Sequence, residues 1–344
     1  MIIVIGAGQA GLAIGRELRR AGHDILLLDA HHRIGESWRR RWDSLRLFTP
    51  ASLSALPGMP FPGPGHHYPG KDEVAGYLQA YAARFELPVQ LGTTVTELRR
   101  GANGGFEVAT SHGTLTADGV VVATGPFQLP HVPDLPLPPE IVSLHSADYR
   151  NPAQLPDGPV LVVGGGNSGM QIAAELAATR PVTLAIGERQ PVLPQRICGL
   201  DVFTWLQALG LIRAPAAGRL GRLVRDHDPL IGLSPRGLRR LGVRIVDRIT
   251  AVDGARLRTA TGQAITASAV IWATGYRSDY RWIRIPGALA GGFPVHSAGI
   301  SPVPGLAYIG LPFQRNRGSA LLGWVGEDAA LVAATYTARL RTPA

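Results

Sequence analysis

The sequence predicts an α/β chain of two Rossmann-like dinucleotide-binding domains, the second inserted into the first and each carrying a β-meander. Two observations carry the prediction. A glycine-rich turn between an apolar strand and a helix occurs twice, as MIIVIGAGQAGLAIG from Met1 and PVLVVGGGNSGMQIA from Pro159. After each turn the same order follows: helix, strand, an irregular stretch, a strand meander, and the tripeptide Ala-Thr-Gly. Gly6 and Ala123 are 117 positions apart, and Gly164 and Ala273 are 109 apart.

The elements follow in order. Val4 and Ile5 close an apolar first strand. A helical pattern runs to about Ala21, where Gly22 is a natural stop. DILLLDA reads as a second buried strand, and residues 31–70, rich in Pro, Gly and His, read as loop. KDEVAGYLQAYAARFEL has helical periodicity and an acidic first turn. Residues 95–122 read as strands joined by the turns GANGG and SHG, and the proline-rich 126–139 reads as a linker. The order then restarts with strand, turn and helix through MQIAAELAAT, a strand PVTLAIGER, and a partly helical insertion over 191–240. A second meander ends at VIWATGY.

Composition excludes several classes. Apolar residues make up 45% of 344, as in a globular protein, and no run approaches the roughly 18 apolar residues of a membrane span. MIIVI runs straight into glycines with neither a basic region before it nor a cleavage site after it, so the expected location is cytoplasmic. The one cysteine, Cys198, excludes a two-cysteine relay and is expected to be a small buried residue. The net charge of +9 is almost all arginine, Lys71 being the only lysine. The arginines are scattered apart from runs such as 39–41. With no aromatic–basic interleaving and no zinc spacing, neither nucleic acid nor a metal is expected. An anionic dinucleotide accounts for the charge more simply.

The first motif comprises Gly6, Gly8 and Gly11, with Gly15 one turn on. Gly6 permits the tight turn, Gly8 lets a pyrophosphate approach the backbone, and Gly11 and Gly15 let helix and sheet pack closely. Free N–H groups at Gln9 and Ala10, with the helix dipole, favour the anion. Asp29, 23 positions after Gly6 and followed by Ala30, ends the next strand, where a carboxylate can accept from both ribose hydroxyls. The second motif comprises Gly164, Gly166, Asn167, Ser168 and Gly169, with Ala173 in the fourth glycine's place. Here Glu188, 24 positions on, suits a free 2′-hydroxyl, whereas Arg189 beside it suits a 2′-phosphate. Either could equally be a solvated strand-end charge, so the choice between NADH and NADPH stays open.

Two dinucleotide sites in one chain suggest a flavin in one and a nicotinamide in the other, because hydride transfer needs the rings within roughly 3–3.5 Å. The expected division is an FAD-binding domain over 1–145 and 277–344 and an NAD(P)H-binding domain over 146–276.

At this point the chain resembles the flavin-containing monooxygenases in their short bacterial form. The resemblance runs through GAGQAG, GESWRRRWDSLRLFTP, VVATGPFQLPHVP, LHSADYRNP, VVGGGNSGMQIAAELA, VIWATGY and GLAYIGLPFQRNRGSALLGWVGEDA. It implies FAD at the first motif, NAD(P)H at the second, and a C4a-(hydro)peroxyflavin that passes one oxygen atom of O2 to a nitrogen, a sulfur or a ketone. It implies that Ser37 and Trp38 touch FAD and that Val95 meets the adenine through its backbone. It places the first Ala-Thr-Gly (Ala123, Thr124, Gly125) beside FAD and the second (Ala273, Thr274, Gly275) beside NAD(P)H. NRGSALLGWVGEDAALVA reads as a loop entering a helix, with N–H groups near Ala320 and Leu321 facing the flavin pyrimidine edge. Similar proteins are often dimers, so a homodimer is the assembly the resemblance suggests.

The departures matter. The family's identifying segment retains only His145 and the following Tyr149, with Pro139 and Ile141 at the other two places. His145 is therefore either a residue orienting the linker or nicotinamide, or a structural histidine, and no catalytic acid, base or nucleophile is otherwise expected. Pro50 follows Phe48 and Thr49 where many members place asparagine, and it has no side-chain donor. Two other readings therefore stand beside the monooxygenase: an NAD(P)H oxidase or electron-transfer reductase, and a non-catalytic flavin or nucleotide sensor.

Overall fold

A computed structural model describes residues 1–226 and 229–341. Its first sheet has five parallel strands in the order Leu306–Tyr308, Gly119–Val122, Ile2–Ile5, Ile25–Leu28 and Val89–Gln90. Its second is also five-stranded and parallel, in the order Arg244–Asp247, Val182–Ile186, Val160–Val163, Ala269–Trp272 and Val142–His145. The strands beginning at Ile2, Gly119, Val160 and Ala269 are buried along their whole length. Their unbroken apolar runs are what a sheet covered on both faces demands. The chain is thus two parallel-sheet halves, as the repeated glycine turns predict.

Each half carries an antiparallel meander: Val95–Arg100, Phe106–Thr110 and Gly113–Ala117 in the first, and Ile249–Asp253, Arg256–Thr259 and Ala264–Thr266 in the second. The helix Gln9–Arg20 buries Leu12, Ile14 and Leu18 and ends where Gly22 takes φ +85°. It packs against the C-terminal helix Val325–Arg341. The second half has the equivalent helix Asn167–Leu176 with Met170, Ile172 and Leu176 buried.

Three expectations need correction. A boundary after residue 145 would leave Val142–His145 in the first half, yet this strand pairs with Ala269–Trp272 in the second sheet. The chain crosses between halves earlier, where Leu129–Pro130 runs antiparallel to Tyr276–Arg277. The stretch 31–70 is mostly irregular, but it holds a short helix, Glu36–Arg39, and buries Trp42 and Leu45 in the core of the second half. Cys198 is exposed, not buried. With φ +48° it occupies the tip of the hairpin joining Arg196–Ile197 to Leu200–Asp201, a position that projects from the surface.

Candidate functional site: two glycine turns

The two turns have the same construction, atom for atom of the backbone. Gly6 N–H donates to Leu28 O at 2.7 Å and Gly164 N–H to Ala185 O at 2.9 Å. Both glycines take a positive φ, +106° and +118°. Each lies under the carbonyl of the first residue of its Ala-Thr-Gly: a Cβ on Gly6 would stand 2.6 Å from Ala123 O, and one on Gly164 2.3 Å from Ala273 O. Ala123 N–H and Ala273 N–H complete the join, donating to Ile5 O and Val163 O at 2.8 Å. The Ala-Thr-Gly tripeptides are therefore the strand ends on which the turns rest. A Cβ on the third glycine would come within 3.5 Å (Ala123) and 3.3 Å (Ala273) of the alanine methyl groups, so helix and strand end are closely packed at both turns.

The second glycine is different. A Cβ on Gly8 or Gly166 would meet nothing within 4 Å, so these positions leave clear space above the helix start. Among the described residues, the N–H groups of Gly8, Gln9, Ala10 and Gly11, and of Gly166, Asn167, Ser168 and Gly169, have no acceptor. A first helical turn leaves such donors free in general. Here the second glycine of each turn leaves open ground beside a strand end, which is the cradle a pyrophosphate requires. The residues present therefore fit a dinucleotide at both turns.

Asp29 is engaged locally. Its Oδ2 accepts Ala7 N–H at 2.8 Å, and its Oδ1 accepts His31 N–H and faces His31 Nδ1, both at 2.9 Å. Burial pushes its carboxyl up, but the His31 and Ala7 hydrogen bonds outweigh this and hold it below the usual carboxylate range. Ala30 and Ser37 are exposed. Trp38 is half-buried and packs against the cores of both halves. Val95 opens the first meander, paired with Thr110. Thr124 Oγ1 accepts from Gln128 Nε2 at 3.0 Å, and Gly125 takes φ +67°.

In the second half, Asn167 Oδ1 accepts Ile231 N–H at 3.2 Å, which ties that side chain to the insertion. Ser168 is half-buried. Thr274 Oγ1 donates to His131 O, and Gly275 O accepts His131 N–H at 3.0 Å. Glu188 and Arg189 are both exposed. The nearest cation to Glu188 is Arg248, at 4.0 Å, a residue the motif spacing does not single out.

His145 is buried with both ring nitrogens on backbone: Nδ1 accepts Ala147 N–H at 3.1 Å, so the proton on Nε2 points to Gly275 O at 3.0 Å. Burial pushes its pKa below the usual imidazole value, against the Gly275 hydrogen bond. Its ring also meets Tyr276 edge-on at 5.1 Å, and Arg41 lies over Tyr276 and Phe127. This cluster clasps the two crossings between halves.

The expected helix start at Ala320 and Leu321 is displaced. Residues Arg317–Ala320 form a single tight turn, Leu321 N–H donates to Gly318 O at 2.8 Å, and the helix begins at Val325. The segment nevertheless lies over the first turn, since Ala320 O accepts from Gln9 Nε2 at 2.9 Å and Gly310 reaches Ala10. The insertion closes over the same side. Val202, Phe203, Ile212 and Ile231 form a buried cluster with Trp324, backed by Phe48, Leu53 and Leu321. Tyr68 Oη donates to Asp201 there, and Phe61 lies in the core against Tyr77. Among the described residues, no group of His, Cys, Asp and Glu is placed to hold a metal, and no helix is long and apolar enough to cross a membrane.

Comparison with known proteins gives a consistent picture. Residues 3–193 match the family model described as pyridine nucleotide-disulphide oxidoreductase. A protein of Geobacillus kaustophilus named "Uncharacterized oxidoreductase CzcO-like" is 44% identical over 333 residues, 95% of each chain. The indole-3-pyruvate monooxygenase YUCCA1 of Oryza sativa subsp. japonica is 29% identical, over 88% of this chain and 82% of that protein. The solved flavin-containing monooxygenase from Stenotrophomonas maltophilia superposes with a TM-score of 0.81 at 28% identity, covering 98% of both chains.

Proposed function

Because the chain belongs to the pyridine nucleotide-disulphide oxidoreductase family and to the flavin monooxygenase family members within it, we propose that it places one oxygen atom of O2 on a small substrate, at a soft sulfur or nitrogen or beside a ketone carbonyl. It is an oxidoreductase of FAD and NAD(P)H. The observation that carries the reading is the duplication of one turn geometry at Gly6 and Gly164, each with an open second glycine. A flavin held at the first turn and a nicotinamide at the second would supply hydride transfer and oxygen activation.

The chain's own residues bind, align and exclude water. In this reading the N–H groups of Gly8–Gly11 hold the FAD pyrophosphate and Asp29 the adenosine ribose, while those of Gly166–Gly169 hold the nicotinamide dinucleotide. Trp38, packed on both cores, fixes the halves against each other at the flavin. The Phe48, Phe203 and Trp324 cluster shields the reacting centre from water. His145, with both nitrogens occupied, is a positioning residue for the second Ala-Thr-Gly and moves no proton. We assign residues 1–128 and 278–341 to the FAD-binding part and 131–275 to the NAD(P)H-binding part, because the paired segments Leu129–Pro130 and Tyr276–Arg277 form the joint.

One observation favours a second reading. Pro50 is buried without a donor, and Thr49 spends its hydroxyl on Ser54 at 2.9 Å, so no side chain at this place steadies bound oxygen. An oxidase releasing hydrogen peroxide would fit that. The test is turnover of the purified holoprotein with a thioether and a ketone under isotopically labelled O2. Label in the sulfoxide or ester is the expected result. Hydrogen peroxide formed mole for mole with NAD(P)H, and no label in either product, would replace the monooxygenase with the oxidase. Retained flavin with no NAD(P)H consumption would leave the sensor.

A further inference from the structure

We infer that the outer face of the insertion over residues 191–240 docks on the surface of an anionic lipid bilayer. Ile197, Leu200, Trp205 and Leu209 enter the interface, and Arg196, Arg219 and Arg222 meet the headgroups. The inference stands apart from the oxygen transfer proposed above.

The argument begins with exposure. Among the described residues thirteen large apolar side chains are exposed, and six of them fall between Ile197 and Leu223. Scattered singly, such side chains are ordinary; gathered, they mark a contact surface. Four of the six adjoin. Ile197 and Leu200 stand opposite each other in the antiparallel pair Arg196–Ile197 and Leu200–Asp201, so their side chains share one side. Trp205, on the helix Val202–Ala208, donates its Nε1–H to Ile197 O at 3.0 Å, which lays the indole against the hairpin. Leu209 lies one turn beyond Trp205 and is 68% exposed. The other side of this helix is already covered, with Val202 and Phe203 buried in the cluster around Trp324. The helix Arg219–Asp226 repeats the arrangement. Its Gly221 faces inward, where a Cβ would stand 2.0 Å from Pro215 O, and Leu220 and Leu223 are left outside.

Charge chooses the occupant. Residues 196–225 hold five arginines, Arg196, Arg213, Arg219, Arg222 and Arg225, and a single acid, Asp201. Asp201 is engaged inward, since Tyr68 Oη and Gln195 Nε2 both donate to its Oδ2. Arg213 is paired with Glu327. Arg196 and Arg222 donate to backbone, at Gly199 O and Ala217 O. Among the described residues neither they nor Arg219 has a carboxylate partner. A second copy set on this face would bring arginine against arginine, which disfavours self-association there. The surface is also convex, for all five residues 196–200 of the hairpin are exposed. A fluid bilayer takes the shape of a projecting tip, whereas a folded partner would need a matching hollow. Apolar side chains flanked by arginines, with a tryptophan among them, make the pattern of a segment lying in an anionic membrane interface. The arginine stems lie along the apolar boundary while their forks reach the phosphates. Among the described residues no helix is long and apolar enough to cross a membrane, so the contact is peripheral.

Sedimentation of the flavin-loaded protein with lipid vesicles tests the inference. Vesicles of phosphatidylcholine and phosphatidylglycerol in equal parts should carry the protein down at low salt, and raised salt should release it. Vesicles of phosphatidylcholine alone should bind it at least about tenfold more weakly. Arg219→Gln and Arg222→Gln should each weaken the anionic binding about fivefold. Leu209→Ser should weaken it about tenfold with flavin content unchanged, and Leu200→Ser serves should that variant not fold. A polarity-sensitive dye on Cys198, the chain's only thiol and at the hairpin tip, should shift to the blue when anionic vesicles are added. Equal binding to both kinds of vesicle, no binding to either, or anionic binding undiminished in Leu209→Ser, Leu200→Ser and both arginine variants would overturn the inference. So would a concentration-dependent dimer that Leu209→Ser dissociates, because a second copy would then be the occupant.

Discussion

Gly11 faces the carbonyl oxygen of Gly6 so closely that a Cβ on Gly11 would stand 1.8 Å from it, and Gly169 stands in the same relation to Gly164 at 2.0 Å. Both contacts are backbone on backbone, so no side chain can swing away to make room. Alanine at either position forces the helix off its strand, with a cost of about 1–3 kcal/mol. The two variants should nevertheless differ in kind. Gly11→Ala should purify with little flavin. Gly169→Ala should purify yellow and lose most of its reduction by NAD(P)H, read as bleaching of the flavin absorbance under anaerobic conditions. Equal flavin loss in both would mean that the turns do not serve separate dinucleotides.

Asp29 couples the first turn to the strand end, so Asp29→Asn is informative without altering size. The carboxylate gives two acceptors to Ala7 N–H and the His31 N–H groups; an amide turns one arm into a donor and leaves a partner unpaired. We expect a loss of about 1–3 kcal/mol in stability and flavin that washes out on dialysis. The pH dependence has a definite sign. The carboxyl is held below its ordinary value, so its contribution is full above about pH 4 and fades as pH falls through the lower folded value. Urea melts of wild type and variant should therefore differ at pH 7 and converge in acid. A constant gap down to the acid limit would contradict the role given to the charge.

The parts legible in the sequence are those written in local patterns. Both turns, both central helices and both meanders follow from glycine spacing and apolar runs within single segments. What escaped depends on partners far along the chain. Val142–His145 is a four-residue strand that pairs along the edge of Ala269–Trp272, more than a hundred residues away in sequence. Trp42 and Leu45 sit in an arginine-rich stretch that reads as loop, and they are buried only because the second half covers them. Arg248 meets Gly187 through parallel pairing of strands that no sequence window contains. Glu188 lies three residues beyond Ala185, the acceptor of Gly164 N–H, a relation that counting from Gly164 cannot show. The helix start was readable in part: Glu327 and Asp328 mark a first turn beginning near Val325, a better signal than the loop residues Ala320 and Leu321.

The insertion is fastened to the C-terminal helix by Arg213, whose Nε and Nη2 reach Glu327 Oε1 at 2.9 and 2.5 Å. Both side chains are more than a third exposed, so the pair is worth at most about 1 kcal/mol and weakens with salt. Its expected effect lies in closure more than in global stability. Arg213→Ala should leave the melting temperature nearly unchanged while raising proteolysis within residues 191–240 severalfold. The same increase should appear in the wild type at high salt. A variant whose insertion is cut no faster than the wild type would show that the apolar cluster around Phe203 and Trp324 holds the insertion by itself.

His145 supplies a pH test of the clasp between the halves. Burial pushes its ring below the usual imidazole value, and its Nδ1 must stay unprotonated to accept Ala147 N–H. A depressed histidine contributes stability that is fully present above the unfolded value of about 6.5 and is lost as pH falls through the folded one. His296, also pushed down by burial, adds to the same slope. Stability should therefore decline as pH falls below about 6.5. In His145→Gln, which has a donor for Gly275 O and an acceptor for Ala147 N–H but cannot titrate there, part of that decline should disappear, leaving the share due to His296. Denaturant melts across this range measure it directly. A variant as steep as the wild type would mean that the ring is already free to take a proton, and that the join between His145, Gly275 and Tyr276 does not hold the halves together.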